Sequence, residues 1–216
     1  TVCTLPFRVI IPLLVAVLLC SKRVAGKSLT RTMVYIPVLM SALVVGITIN
    51  WMFSQEYGLV NFIIRSLGGT ALEWSLNPRL ATFVISFASV WASIGFNMIL
   101  YIGGINSISN DLYEAATIDG ASSVQAFFRI TVPMLAPTTF MVVLLSTVNL
   151  LKEYALVQGI TQGGPGLSTT FIIQYIFDKG FNQMQYGYAS AISTVVMIIF
   201  ALIAFAQFKV NNGGET

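Results

Sequence analysis

Five stretches of this chain, at about 2–20, 33–53, 81–103, 138–157 and 187–208, are apolar over nearly the length a helix needs to cross a bilayer. The hydrocarbon layer is about 30 Å thick and takes about 20 apolar residues in helical form. Backbone N–H and C=O groups find no water there, so a spanning segment must satisfy them internally. Composition agrees. The 216 residues are 56% hydrophobic and 9% charged, against about 25% charged in soluble domains. The expected fold is an all-α membrane protein with about five transmembrane helices in one membrane domain over 1–216, with no internal repeat.

Several classes of chemistry are excluded early. The chain has no histidine, so it holds no His-based triad and no HExxH zinc site. A net charge of +3, spread along the chain, does not suit nucleic acid. Cys3 and Cys20 lie near opposite ends of the first apolar segment. As a helix that segment holds them roughly 25 Å apart, too far to bridge; they read as small packing residues. Without a nucleophile–base pair or a metal cluster in the spans, an intramembrane enzyme has no material. The chain begins at Thr1, and its positive residues Lys22 and Arg23 follow the first apolar run rather than precede it. A signal peptide has the opposite order. Residues 2–20 therefore read as a span, and further chain is expected before residue 1.

Orientation follows from charge. The loop after the first span holds Lys22, Arg23, Lys27 and Arg31 and no acid, which places it in the cytoplasm by the positive-inside rule. Alternation then puts 54–80 and 158–186 outside, and 104–137 and the tail from Lys209 inside. In the first outer loop, Tyr57-Gly58, Gly68-Gly69 and Asn77-Pro78 are turn signals, and Trp74 is an interfacial anchor. In the second, Phe171 and Tyr175 fall four apart with Ile172 and Ile176 beside them. That pattern predicts a short outer amphipathic helix stopped at Gly180.

The inner segment 106–136 is the most distinctive. It predicts two short helices with a corner between them. Asp111 can cap the first, with Glu114 at its third position, and Gly120 ends it in the left-handed region. Ser122 caps the second with Gln125 three residues on, and Pro133 stops it where the next span begins. Phe127, Phe128 and Ile130 form an apolar face on a loop that water should cover, which is the mark of a surface pressed against a partner. A solvated helix–turn–helix connector is the plainer alternative.

Glu114-Ala115-Ala116, Asp119-Gly120-Ala121, Phe127, Ile130-Thr131, Pro133 and Pro137 resemble the EAA loop of ABC-importer permeases, in the spacing carried by carbohydrate importers of the maltose-permease type. Three other stretches are similar to the same family: Tyr57-Gly58-Leu59-Val60-Asn61, Gly163-Gly164-Pro165-Gly166 and Gly187-Tyr188-Ala189-Ser190-Ala191. The tail after Lys209 lacks the glycine-rich ending of a MalG-type subunit, which favours the MalF type. The resemblance implies an inner-membrane subunit with a cytoplasmic C-terminus and no catalysis of its own. ATP and Mg would belong to an ABC ATPase dimer, and this chain would bind no cofactor. The other implied partners are a second, MalG-like permease, an extracytoplasmic solute-binding protein and the bilayer. Glu114 would bond to the ATPase, and Gly120 would permit the bend.

Polar groups within spans usually face a cavity, and sugars are held by aromatic faces with hydrogen-bonding side chains. The expected pathway residues are Asn50, Trp51, Asn97, Asn149, Lys152, Glu153 and Tyr154, with Asn149 the deepest. Lys152-Glu153 reads equally as an interfacial pair, and Asn50-Trp51 equally as an interfacial belt. A glycerol-phosphate or polyol permease is the runner-up. A secondary transporter would call for inverted repeats or buried acids, and the sequence has neither.

Overall fold

The computed structural model describes residues 3–20 and 26–212. Lys22 and Arg23, on which much of the expected orientation rests, lie outside the described residues. Every regular element among them is helical: α1 Leu5–Cys20, α2 Lys27–Leu39, α3 Ala42–Met52, α4 Leu59–Ser66, α5 Pro78–Asn106, α6 Asn110–Ile118, α7 Ser123–Ala126, α8 Val132–Met134, α9 Ala136–Leu151, α10 Ala155–Ile160, α11 Ile172–Phe177 and α12 Tyr186–Asn212. Two π-helical turns, Phe127–Thr131 and Asp178–Asn182, continue α7 and α11.

Two helices, Pro78–Asn106 and Tyr186–Val210, are individually long and apolar enough to cross a membrane. Two bent pairs, Ser28–Leu39 with Ala42–Met52 and Ser123–Met134 with Ala136–Leu151, raise the number to as many as four if each is one span, and α1 is apolar but only 16 residues long. Two apolar stretches that read as continuous in sequence are interrupted. The stretch 33–53 divides at Met40-Ser41. Pro37 inside α2 has no N–H to give, and Ser41 takes an extended conformation that starts α3. The stretch 138–157 divides at Lys152–Tyr154, where Tyr154 leaves helical backbone at φ −137°.

The chain packs as two units. The first comprises Leu39–Ala92 and Val148–Thr216. Its core gathers Val45, Ile49 and Phe53 with Trp74, Val84, Ile85 and Ala88, and with Leu156, Val157 and Ile160 of α10. Apolar burial between helices gains little in lipid, so close approach of small residues carries the packing there. Gly46 of α3 and Gly159 of α10 supply it. A Cβ on Gly46 would lie 2.6 Å from the Leu156 carbonyl oxygen, and one on Gly159 would lie 2.7 Å from that of Leu43. The stretch after α4 is held by Asn61, which is fully buried. Its Nδ2 donates to the Gln55 and Leu72 carbonyls, and its Oδ1 accepts from Leu72 N and Trp74 Nε1 at 3.0 Å each. Trp74 then stands edge-on to Phe53, ring centroids 5.0 Å apart.

The second unit comprises Val2–Val38 and Ser93–Thr147. Ala16 and Leu19 of α1 pack with Met98, Tyr101 and Ile102 of α5, with Ile108, and with Leu135 and Val142. Asn97 pins these elements together: its Nδ2 donates to the Arg8 carbonyl at 2.9 Å and to Ser146 Oγ at 3.1 Å.

Candidate functional site: the capped elbow of residues 109–136

Local hydrogen bonding builds the elbow. Ser109, in extended backbone, is the N-cap of α6, and its Oγ accepts from Asp111 N at 3.2 Å. The cap expected at Asp111 therefore sits two residues earlier. Both residues suit the role, but the chain enters the helix at Asn110 and leaves Asp111 within the first turn, where its charge favours the helix dipole. The other end is as expected. Gly120 N bonds to the Thr117 carbonyl at 3.1 Å and Ala121 N to that of Ala116 at 2.9 Å. Gly120 stands at φ +76°, where a side chain would strain the backbone; together these make a Schellman stop. The corner is short. Ser122 caps α7 reciprocally, its Oγ accepting from Gln125 N and its N–H donating to Gln125 Oε1 at 2.8 Å.

Past α7 the backbone loosens into the π-helical turn Phe127–Thr131, in which Val132 N reaches back five residues to the Phe127 carbonyl. Pro133, without an N–H, cannot serve the carbonyl of Arg129 four residues earlier, so an ordinary helical ladder could not be completed here in any case. Pro133 does not itself end the segment, contrary to expectation. The helix passes through it to Met134, and the direction changes by 65° at Leu135 before α9 begins.

One side of the elbow is anchored. Tyr113 Oη and Thr131 Oγ1 lie 2.9 Å apart, and Thr131 is buried. Beside them a cavity of about 560 Å³ is lined by Cys20, Asn106, Tyr113, Ala116 and Phe127. The other side is open. Glu114, Ala115, Asp119 and Gly120 are exposed, Ala116, Ala121, Phe127 and Ile130 are half-buried, and the tips Ile118, Val124 and Phe128 are 87%, 66% and 64% exposed. Phe127 and Phe128 stand edge to face with centroids 4.9 Å apart. A hollow of about 340 Å³ opens at the inner corner between Ala116, Gly120, Ala126 and Arg129. The elbow offers an apolar ridge beside three carboxylates of its first arm, Asp111, Glu114 and Asp119, with Arg129 the one charge of the second. Among the described residues no group of His, Cys, Asp or Glu could hold a metal ion.

A family model described as "binding-protein-dependent transport system inner membrane component" matches residues 1–212. This chain belongs to that family. The inner membrane component is similar to the trehalose/maltose transport system permease protein MalF of Thermococcus litoralis, 34% identical over 194 residues, or 90% of this chain and 65% of the relative. It is also similar to the arabinooligosaccharides transport system permease protein AraP of Halalkalibacterium halodurans, 33% identical over 206 residues, 94% of this chain and 65% of that one. The chain thus spans about 65% of the length of the relatives it matches. Its fold is that of a chain in the crystal structure of a bacterial ABC transporter involved in import of the acidic polysaccharide alginate. The TM-score is 0.85 at 23% identity, over 97% of this chain and 76% of the other.

The residues expected along a pathway scatter. Asn50 and Trp51 are exposed at the end of α3, Trp51 by 61%. Asn149 is exposed on α9, Lys152 is exposed, and Glu153 and Tyr154 are half-buried in the break after it. Asn97 lies in the second unit, buried and bonded to Arg8 and Ser146. Asn50, Trp51 and Asn149 to Tyr154 all belong to the first unit. The outer helix expected around Phe171 and Tyr175 ends differently. α11 starts at Ile172, and the chain stays helical through Gly180 to Asn182. Gly180 is a packing position rather than a stop: its Cβ would lie 3.2 Å from that of Ala189, and the left-handed residue is Met184, at φ 57°.

Proposed function

We propose that this chain is the membrane-spanning part of a permease subunit of an ATP-driven importer, which couples to a separate ABC ATPase through the elbow. The observation that carries the reading is the elbow itself: two capped helices joined at Gly120, anchored through Tyr113 and Thr131, with Ile118, Val124 and Phe128 bare. An exposed ridge of Ile118, Val124 and Phe128 is costly to leave in water and suited to a groove. Glu114 on the open side provides a carboxylate for the ATPase. The basic residues of 22–31 support a cytoplasmic elbow and C-terminus. ATP and Mg belong to the ATPase, whose closure moves the elbow and switches the pathway between its two faces. The partners are a second, MalG-like permease, the ATPase dimer and an extracytoplasmic binding protein, which docks on the side bearing residues 54–80 and 158–186. The cargo is a sugar, in keeping with the names of MalF and AraP, and its path passes Asn50, Trp51, Asn97, Asn149 and the Lys152–Tyr154 break. Both units belong to one permease domain.

The test is ATP-dependent uptake by the full-length protein, co-reconstituted in vesicles with the chains that purify with it. Glu114→Ala should lower ATPase co-purification and uptake together by about tenfold, as befits a charge-assisted contact. Undiminished uptake by Glu114→Ala would remove the elbow from the mechanism.

A further inference from the structure

Residues 154–183 of the first unit enclose a cavity of about 360 Å³ whose wall is made of amides and aromatic rings. Small-ligand pockets occupy about 300–1,000 Å³, so this one has room for a molecule the size of a monosaccharide. On one side Tyr154 and Phe177 lie with centroids 5.2 Å apart, and Phe181 stacks on Phe177 at 4.9 Å. On the other, Gln174 of α11 donates from Nε2 to Gln158 Oε1 of α10 at 2.9 Å.

Gln174 is 7% exposed, and its Oε1 is buried with no hydrogen-bond partner. A buried acceptor left unsatisfied costs about 1–3 kcal/mol, so its retention needs a reason. The amide is also deliberately accommodated. It sits where a Cβ on Gly163 would approach its Nε2 to 3.1 Å and its Oε1 to 3.3 Å, and Gly163 holds φ +92°. The charges of the rim are used up locally. Asp178 accepts from Asn182 at 3.0 Å and from Gln183 at 2.7 Å. Lys179 donates to Gln183 Oε1 at 2.8 Å and lies 5.5 Å above the Tyr175 ring. One acid and one base balance, and no surplus positive charge is offered to a phosphate.

We propose that this cup is a sugar subsite, taking one uncharged, hydroxyl-rich ring against the Tyr154–Phe177 wall. A ring hydroxyl entering beside the amides donates to the orphaned Oε1, while Gln174 Nε2 keeps its bond to Gln158, which holds the amide in place. The proposal rests on the carbohydrate reading above and adds to it a place, distinct from the expected pathway asparagines, where the cargo is held.

The test uses the full-length permease in its purified complex, with Cys3, Cys20 and any cysteine of the remaining chain replaced by Ser so that single cysteines can be introduced. Leu167→Cys, on the lining of the cup, and Leu67→Cys, away from it and 83% exposed, report reaction with a membrane-impermeant maleimide. The probes are trehalose, maltose and arabinotriose, each also scored for uptake. A transported sugar should slow labelling at 167 by about fivefold and leave 67 unchanged, and Gln158→Leu should remove that protection, the scale being that of losing one hydrogen bond. Equal labelling at 167 with and without a sugar that the complex transports would overturn the cup while leaving the carbohydrate reading standing. That comparison needs no cup variant to fold. Transport of none of the three probes by an ATP-hydrolysing complex would count against the carbohydrate reading itself, and the cup would fall with it.

Discussion

Single residues decide the two most exacting local geometries. Gly120 holds φ +76° with nothing crowding its Cβ position, so a substitution there acts through backbone strain rather than collision. Gly120→Val should cost about 1–2 kcal/mol locally. The protein should remain in the membrane at near-normal level by immunoblot while uptake falls, because α6 and α7 no longer meet at the same angle. Asn61 is the opposite case, since its whole value lies in contact. Asn61→Leu would strand Leu72 N and Trp74 Nε1, and should lower stability by about 2 kcal/mol or more. The readout is earlier thermal unfolding in detergent, with limited proteolysis appearing within 55–77. The glycine was legible in sequence because a Schellman stop involves only neighbours up to five residues apart. Asn61 was legible only as part of a motif. Its partners at Gln55, Leu72 and Trp74 lie 6 to 13 residues away on chain without regular structure, and no periodicity announces them.

At the scale of elements, apolar composition located the helices but hid their interruptions. A run of aliphatic residues reads the same whether or not it bends, so the break at Met40-Ser41 was invisible to hydropathy, whereas that at Lys152–Tyr154 falls on two adjacent charges that read equally as an interfacial pair. The π-helical turns were equally silent: they are a backbone register change, and only Pro133 hinted at one of them. Small residues were the signal passed over. Gly46 lies in an apolar stretch and Gly159 in what reads as an outer loop, and each has space for a hydrogen only where the other faces it. Gly159→Val should therefore push α10 off α3 and cost about 1–3 kcal/mol of overpacking. Gly187→Val, at a helical position with nothing within 4 Å, should be nearly neutral. Comparing the two variants' melting temperatures in detergent separates packing from the general effect of valine in a helix; equal losses would refute the close-approach role of Gly159.

In the whole molecule, each packed unit carries one surface that its own fold does not explain. The unit of Val2–Val38 and Ser93–Thr147 carries the elbow, and that of Leu39–Ala92 and Val148–Thr216 carries the amide-lined cup. The elbow was readable in advance because motif, caps and exposed aromatics fall within 30 residues. The cup was not, because Gln158 and Gln174 come together only when α10 and α11 fold against each other. α12 adds a long run of exposed apolar residues, among them Val195, Ile198, Leu202 and Phe205, as suits a helix meeting lipid or a second permease.

The central claim is that the elbow engages a separate ATPase. It is tested most directly by purifying the full-length protein from native membranes in mild detergent and identifying its companions by mass spectrometry, beside Glu114→Ala. The expected result is a second permease and an ABC ATPase with the unmodified protein, and a marked loss of the ATPase alone with Glu114→Ala. Recovery of the protein without an ATPase, under conditions that keep a known transporter intact, would contradict the claim.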